Sequence, residues 1–408
     1  MAASDTYAIV GGGLAGGKAA EALRAQGFDG RLVLIGAESH LPYERPPLSK
    51  GYLAGNAERD SMLVHDQAWY DEQQVELVLG TEVSAIDRSA GRLSLGNGDE
   101  LAYHKLLLAT GASPRSLPLP GSDAEGVYYL RSVEESDRLR DLFGRISRLV
   151  VIGAGWIGLE VTAAARGAGV QVTVIESAEL PLLRVLGPEV AQVFAQLHRE
   201  HEVDLRLSAS IAEITTDGGR ATGVRLADGT TFDADAVLVA VGVAPNIGLA
   251  ERAGLATNNG IVVDQGLRTE DLNIFAAGDV ANAFHPRYAK HIRVEHWANA
   301  LKQPAVAAAS MLGGQAGYEE LPYFYTDQYD LGMEYLGYVE PGEYDRVLFR
   351  GDVGSREFIA FWLRGGRVLA GMNVNVWDVT DPIKALIRSG AEVDPDRLAD
   401  PAQPLESL

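Results

Sequence analysis

Short apolar runs, each closed by glycine or by a polar turn, recur along the chain and set its plan. Tyr7-Ala8-Ile9-Val10 leads into a glycine turn, and a helix-like stretch follows over residues 17–25. Further runs at 31–35, 75–79, 82–86, 92–95 and 105–112 predict strands, the last ending in Ala109-Thr110-Gly111. The order then repeats: a strand at 149–152, a glycine turn, a helix at 159–168 and a strand at 170–175. A β-rich crossover over 211–232, with turns at Asp217-Gly218-Gly219 and Asp228-Gly229, leads to a run at 236–246 whose strand-then-glycine ending matches the one at Gly111. A short strand over 273–280 carries Gly278-Asp279 at its end. From Tyr323 aromatic residues concentrate, and runs at 347–350 and 357–362 followed by a helix at 381–389 predict a separate antiparallel α+β domain. The acidic, proline-containing tail from Asp394 is expected to be mobile.

The two glycine turns share one spacing, Gly11-x-Gly13-x-x-Gly16 and Gly153-x-Gly155-x-x-Gly158. After a strand and before a helix, the first glycine permits a tight turn, the second lets a pyrophosphate approach the backbone, and the third lets helix and strand pack closely. The helix N-terminus adds free N–H groups and partial positive charge. One such turn is weak evidence; two at equivalent places predict two dinucleotide-binding units.

An acid at the end of the second strand of each unit would take a ribose hydroxyl. Glu38 is the candidate in the first and Glu176 in the second. A carboxylate there accepts from the 2′-OH of NAD and repels the 2′-phosphate of NADP, so NADH is expected; Arg184 is the nearest cation beyond it. Between the first unit and the next strand, Leu41-Pro42-Tyr43-Glu44-Arg45-Pro46-Pro47-Leu48-Ser49-Lys50 uses prolines to preset Arg45 and Lys50. Asp279 after Gly278 suits a ribityl or phosphate group, or is an ordinary helix cap.

At 408 residues the chain is long enough for two or three domains. Its net charge of −21 disfavours nucleic acid and anionic membranes as partners. Cysteine is absent, which excludes dithiol chemistry, thiolate metal sites and a Cys-ligated cluster in this chain; no metal site is expected. Without a leader-like N-terminus or an apolar run of about 18 residues, a soluble, cytoplasmic protein is expected.

PYERPPLSK, GAGWIGLEVTAAA, the stretch from Arg184, RTEDLNIFAAGDVA and the Trp297/Gln303 region together resemble the NADH-dependent ferredoxin and rubredoxin reductases of oxygenase systems, along essentially the whole chain. The resemblance implies α/β architecture with two Rossmann-like domains, for FAD and NAD, plus the C-terminal α+β domain. The expected boundaries are 1–114 and 245–322 for FAD, 115–244 for NAD and 323–408 for the last domain. It implies FAD contacts at Gly11, Gly13, Leu14, Ala15, Gly16, Glu38, Arg45, Lys50, Val83, Arg131, Asp279, Glu295, His296 and Trp297. Implied NAD contacts are Gly153, Gly155, Trp156, Ile157, Gly158, Glu176, Arg184 and Gly242. In the family the lysine of PPLSK lies near flavin N5 and pairs with the glutamate of GWIGLE, here Lys50 and Glu160. Where relatives often carry WFW(S/T)DQY, this chain reads Tyr323-Phe324-Tyr325-Thr326-Asp327-Gln328-Tyr329, which keeps an aromatic near the flavin.

The implied reaction takes hydride from NADH to FAD and passes electrons singly to a small iron–sulfur ferredoxin, which supplies a cytochrome P450 or another oxygenase. Ferredoxins are acidic, so a local basic cluster, Arg287, Lys290, His291 and Arg293, is the candidate docking surface. Two alternatives stand beside it: reduction of a small acceptor such as a quinone or oxygen, and an NADH-sensing interaction protein like apoptosis-inducing factor.

Overall fold

The structure is a computed structural model and describes residues 5–408. The chain forms two compact units, the first built from residues 5–45, 58–113 and 243–322, the second from Pro46–Ala57, Pro114–Gly242 and Tyr323–Leu408.

In the first unit five parallel strands lie in the order Ile274–Ala276, Lys105–Leu108, Thr6–Val10, Arg31–Ile35, Val75–Val78. Ala8, Ile9, Leu32, Leu34, Leu106 and Leu107 are fully buried, as expected of parallel strands covered on both faces. The helix Leu14–Ala25 follows the central strand and turns Ala19, Ala20 and Leu23 inward. It packs against the helix Trp297–Met311, whose Ala307, Ala308 and Met311 join the same core. Each such aliphatic side chain contributes about 1.5–3 kcal/mol on burial. Over 273–280 the strand stops at Ala276, because Gly278, at φ +79°, turns the backbone into the 3-10 helix Gly278–Val280.

The second unit repeats the scheme. Its parallel sheet runs Asp204–Arg206, Gln171–Ile175, Arg148–Ile152, Ala236–Val239, Val127–Tyr128, with Trp156–Gly167 as the helix after the central strand. The helix Leu183–Glu200 bends at Gly187, at φ +73°, since Pro188 excludes α-conformation from the residue before it. In the same unit five antiparallel strands form a second sheet, ordered Tyr323–Gln328, Leu331–Gly337, Arg367–Val374, Glu357–Arg364, Arg346–Asp352. The helix Thr380–Ser389 packs on it through Ile383 and Ile387.

The tail departs from its expected mobility. It folds into the helices Pro395–Ala399 and Leu405–Ser407, burying Leu398 and Leu405. Its anchor is Arg350, whose buried guanidinium donates to the carbonyls of Leu398, Asp400, Pro401 and Gln403. Acidic, proline-rich composition suggested disorder, yet four backbone acceptors converge on one cation that a strand presents from outside the tail.

Candidate dinucleotide sites and a buried charge pair

The two glycine turns are stereochemical copies. Gly11 sits at φ +130°, and a Cβ there would lie 2.0 Å from the carbonyl oxygen of Ala109. Gly153 sits at φ +101° with its would-be Cβ 2.4 Å from that of Ala240. At Gly16 and Gly158 a Cβ would lie 1.9 and 2.2 Å from the carbonyl oxygens of Gly11 and Gly153. These four glycines are demanded by the fold. Gly13 and Gly155 are not: nothing lies within 4 Å of a Cβ at either. Each caps its helix with no side-chain acceptor, leaving the N–H groups at Leu14, Ala15 and Gly16, and at Trp156, Ile157 and Gly158, without a side-chain cap. Open space over an uncapped helix start fits a dinucleotide pyrophosphate in both units.

Around the first turn, register refines the reading of Glu38. Val10 pairs with Ile35 and Ile152 with Ile175, so the place of Glu176 is taken by Gly36, and Glu38 stands two residues further on. A Cβ on Gly12 would come within 3.1 Å of Gly36 Cα, so this corner is too tight for the acid to sit where it does in the second unit. Glu38 instead accepts from Tyr43 Oη at 2.5 Å and Arg45 Nη2 at 2.6 Å. The segment leading to Val83 closes the same corner, Gly80 N–H donating to Glu38 O and Thr81 N–H to Gly36 O. Gly278 N–H donates to the buried Gln303 Oε1 at 2.8 Å, placing Asp279 in its short helix, and Arg293 donates to Asp279 O at 3.2 Å. Trp297 Nε1 donates to Glu44 Oε2 at 2.9 Å, tying the start of its helix to the proline loop. His296 precedes that helix, and burial, opposed by the Asp279 carboxylate, pushes its imidazole down to about 4.

In the second unit the Glu176 carboxylate accepts from Ala154 N–H and Ala178 N–H, both at 2.8 Å, and from Ser177 Oγ at 3.1 Å. Its side chain is therefore held at the end of the second strand. Ile157, 41% exposed, is a large apolar side chain open to solvent on the first helical turn, and Arg184 is exposed on the first turn of its helix. The Trp156 ring packs inward on Phe194 and Phe324, with centroids 5.6 and 5.1 Å away. Gly242, at φ +92°, accepts from Arg115 N–H at 2.9 Å. Arg131, grouped by resemblance with the FAD contacts, belongs to this second unit, directly before the capping box of Ser132 and Glu135.

Lys50 and Glu160 also meet within the second unit. Lys50 Nζ lies 2.7 Å from Glu160 Oε1, the side chains 13% and 3% exposed. Ser49 Oγ donates to Glu160 Oε2, Thr326 Oγ1 donates to Oε1 at 2.6 Å, and the Tyr325 ring lies 5.4 Å from Lys50 Nζ. Two hydrogen bonds and one ion contact on one carboxylate offset the cost of burying it. Ser49 and Thr326 escaped the sequence reading. Their signal was faint: Thr326 and Gln328 are polar residues on the alternation that buries Phe324, and polar groups there require partners.

One member of the basic cluster is corrected. Arg293 is 7% exposed and turned inward, paired with Glu295 at 2.7 Å and donating to Asp279 O and Asn259 Oδ1. Arg293 lies just past the short Lys290–Ile292 strand, where Glu295, the Asp279 carbonyl and Asn259 draw its guanidinium inward; Arg287 and His291 are exposed. Among the described residues no acidic, histidine or cysteine cluster could hold a metal ion, and no helix is long and apolar enough to cross a membrane.

Comparison with known proteins agrees with this geometry. The pyridine nucleotide-disulphide oxidoreductase family matches residues 5–304, and the reductase C-terminal family matches residues 323–408. The ferredoxin–NAD(+) reductase component of the anthranilate 1,2-dioxygenase system of Burkholderia cepacia is 43% identical, over 99% of each chain. Putidaredoxin reductase of Pseudomonas putida is 39% identical over 100% of this chain and 97% of its own. Among solved structures, the covalent putidaredoxin reductase–putidaredoxin complex matches with a TM-score of 0.95 at 38% identity, covering 99% of this chain and 98% of that one.

Proposed function

The chain belongs to the pyridine nucleotide-disulphide oxidoreductase family, and from that premise we propose that it is an FAD-dependent NADH:ferredoxin oxidoreductase serving an oxygenase. One NADH gives up a hydride, two oxidised ferredoxins each gain one electron, and NAD+ and a proton are released. Bound FAD supplies the step between a two-electron donor and one-electron acceptors. With no cysteine, the chain has no dithiol relay, which separates it from disulfide-reducing relatives. The ferredoxin acceptor is supported by the relatives, one a dioxygenase-system component and another solved in covalent complex with putidaredoxin.

The observation that carries the reading is the pair of open middle glycines, Gly13 and Gly155, each over an uncapped helix start. We assign the first turn to FAD, with Glu38, Arg45, Val83, Asp279 and the 295–297 segment around it, and the second to NADH, with Glu176 on the adenosine ribose. Lys50 is assigned the positive charge that favours hydride acceptance, and Glu160 its counter-charge. Arg131, Trp156, Ile157, Arg184 and Gly242 complete the assignment. The domain division follows it: 1–114 with 245–322 for FAD, 115–244 for NADH, 323–408 as the third domain. Arg287 and Lys290 remain the proposed docking cations for an acidic ferredoxin, and the cytoplasm, where NADH is supplied, is the proposed location.

Anaerobic stopped-flow mixing of the yellow protein with NADH and, separately, NADPH tests this. Rapid bleaching by NADH, with reoxidation by a ferredoxin coupled to cytochrome c, is expected. A protein that purifies without flavin, or bleaches equally with both nucleotides, overturns the assignment.

A further inference from the structure

Thr326 is the first member of a longer chain of hydrogen bonds. Its single hydroxyl proton goes to Glu160 Oε1, so toward Gln328 it can only accept, and Gln328 Nε2 donates to it at 3.2 Å. The Gln328 amide is thereby oriented with Oε1 toward His198, whose Nε2 lies 2.8 Å away and must carry the proton. His198 Nδ1 is then an acceptor, and the Tyr329 hydroxyl lies 3.3 Å from it. Every donor points the same way, from Tyr329 through His198, Gln328 and Thr326 to the carboxylate.

The burial is as deliberate as the polarity. His198 is 0% exposed, and Thr326 and Gln328 are each 1% exposed. Loss of solvation keeps His198 neutral, with its pKa pushed down to about 4, which the single-proton tautomer requires. Tyr329 holds a left-handed backbone at φ +55°, a place that favours glycine and costs a bulky residue about 1 kcal/mol or more. Its ring stacks on His201 at 3.6 Å while its hydroxyl reaches His198, so the strained residue is present for its side chain. Three polar residues occupying buried positions cost stability unless fully paired, and here the pairing ends on one anion.

Resting on the proposed function, we infer that Thr326, Gln328 and His198 are positioning residues that fix Glu160 as an anion with Oε1 toward Lys50, keeping that charge pair ready for hydride transfer. None of the three need touch cofactor or nucleotide. The chain has this polarity only while Glu160 is ionised; a protonated Glu160 would free the Thr326 hydroxyl to turn and let every bond behind it reverse.

The test uses the flavin-loaded protein. Nitrogen-15 NMR of the histidines, with His198→Gln to identify the signal, should show His198 neutral with its proton on Nε2. Gln328→Met, which keeps the volume and removes the amide, should abolish that tautomer preference. It should also slow flavin reduction at saturating NADH about fivefold, the weight of one neutral hydrogen bond, with the half-saturating NADH concentration unmoved. Thr326→Val should reproduce the slower reduction and Thr326→Ser should restore it, which covers the case that Gln328→Met fails to fold. Isotope-edited infrared spectroscopy, with Glu160→Gln as the reference, should show the Glu160 carboxylate band shifted in Thr326→Val relative to the wild type. A wild-type His198 protonated on Nδ1, or an unchanged limiting rate and carboxylate band in Thr326→Val, overturns the inference. Wild-type protein that is not reduced by NADH at all refutes the proposed function instead, since tautomer and carboxylate are read without turnover.

Discussion

Glu160 and Lys50 form an ion pair of 2.7 Å in which the acid is 3% exposed and the base 13%. Removing one partner leaves the other charge unmatched. Glu160→Gln is expected to lower stability by about 3 kcal/mol, near the lower end for a buried pair because Lys50 keeps some contact with solvent. Lys50→Met with Glu160→Gln should cost less than the sum of the two single changes. Urea unfolding of the four proteins as a double-mutant cycle measures the coupling.

The glycines of each turn separate fold from ligand. Gly11→Ala and Gly153→Ala meet a carbonyl oxygen at 2.0 and 2.4 Å on left-handed backbone, and should destabilise by about 3 kcal/mol or more. Gly13→Ala and Gly155→Ala meet nothing within 4 Å and should change stability of the ligand-free protein by less than about 1 kcal/mol. Their effect should appear as loss of FAD affinity for the first and of NADH affinity for the second, read by flavin retention and by nucleotide titration.

Nucleotide choice should rest on Glu176. With its carboxylate anchored by Ala154 and Ala178, Glu176→Ser is expected to weaken NADH use about tenfold and to admit NADPH, for which the exposed Arg184 offers a cation. The ratio of kcat/KM for the two nucleotides decides it; an unchanged ratio removes Glu176 from selectivity.

His198 makes stability depend on pH. Its folded pKa of about 4 lies below the ordinary 6.5, so the unfolded chain binds the proton more readily. Its contribution is fully present above about pH 6.5 and is lost as pH falls toward 4, a total of about 3 kcal/mol. The urea midpoint should fall between pH 7 and pH 4.5, and His198→Gln should make that fall shallower, with His296, also pushed down to about 4, keeping the remainder.

Arg350 should govern the tail. Arg350→Met leaves four carbonyl acceptors without their donor and is expected to cost about 2–4 kcal/mol. Limited proteolysis should then cut beyond residue 394, where the intact protein resists.

What was legible in the chain was local. The glycine spacings, the strands beside them and the Glu176 corner all follow from residues close in sequence, and each appears at its expected place. Glu38 was harder, because a turn can shift an acid by two residues without altering its composition. Ser49 and Thr326 converge on Glu160 from sequence positions more than a hundred residues away, and no periodicity encodes such a meeting. Arg293 and the tail misled for one reason: charge in a sequence states what a side chain carries, not which way it points.

The open space above Gly13 and Gly155 also has an evolutionary consequence. Selection for folding acts on Gly11, Gly16, Gly153 and Gly158, whose neighbours admit no side chain, but is silent at the two middle positions. A descendant that ceased to use one nucleotide would drift first at residue 13 or 155, while remaining a well-folded protein. On the proposed assignment, those two positions record, in any such lineage, whether the ligand is still in use.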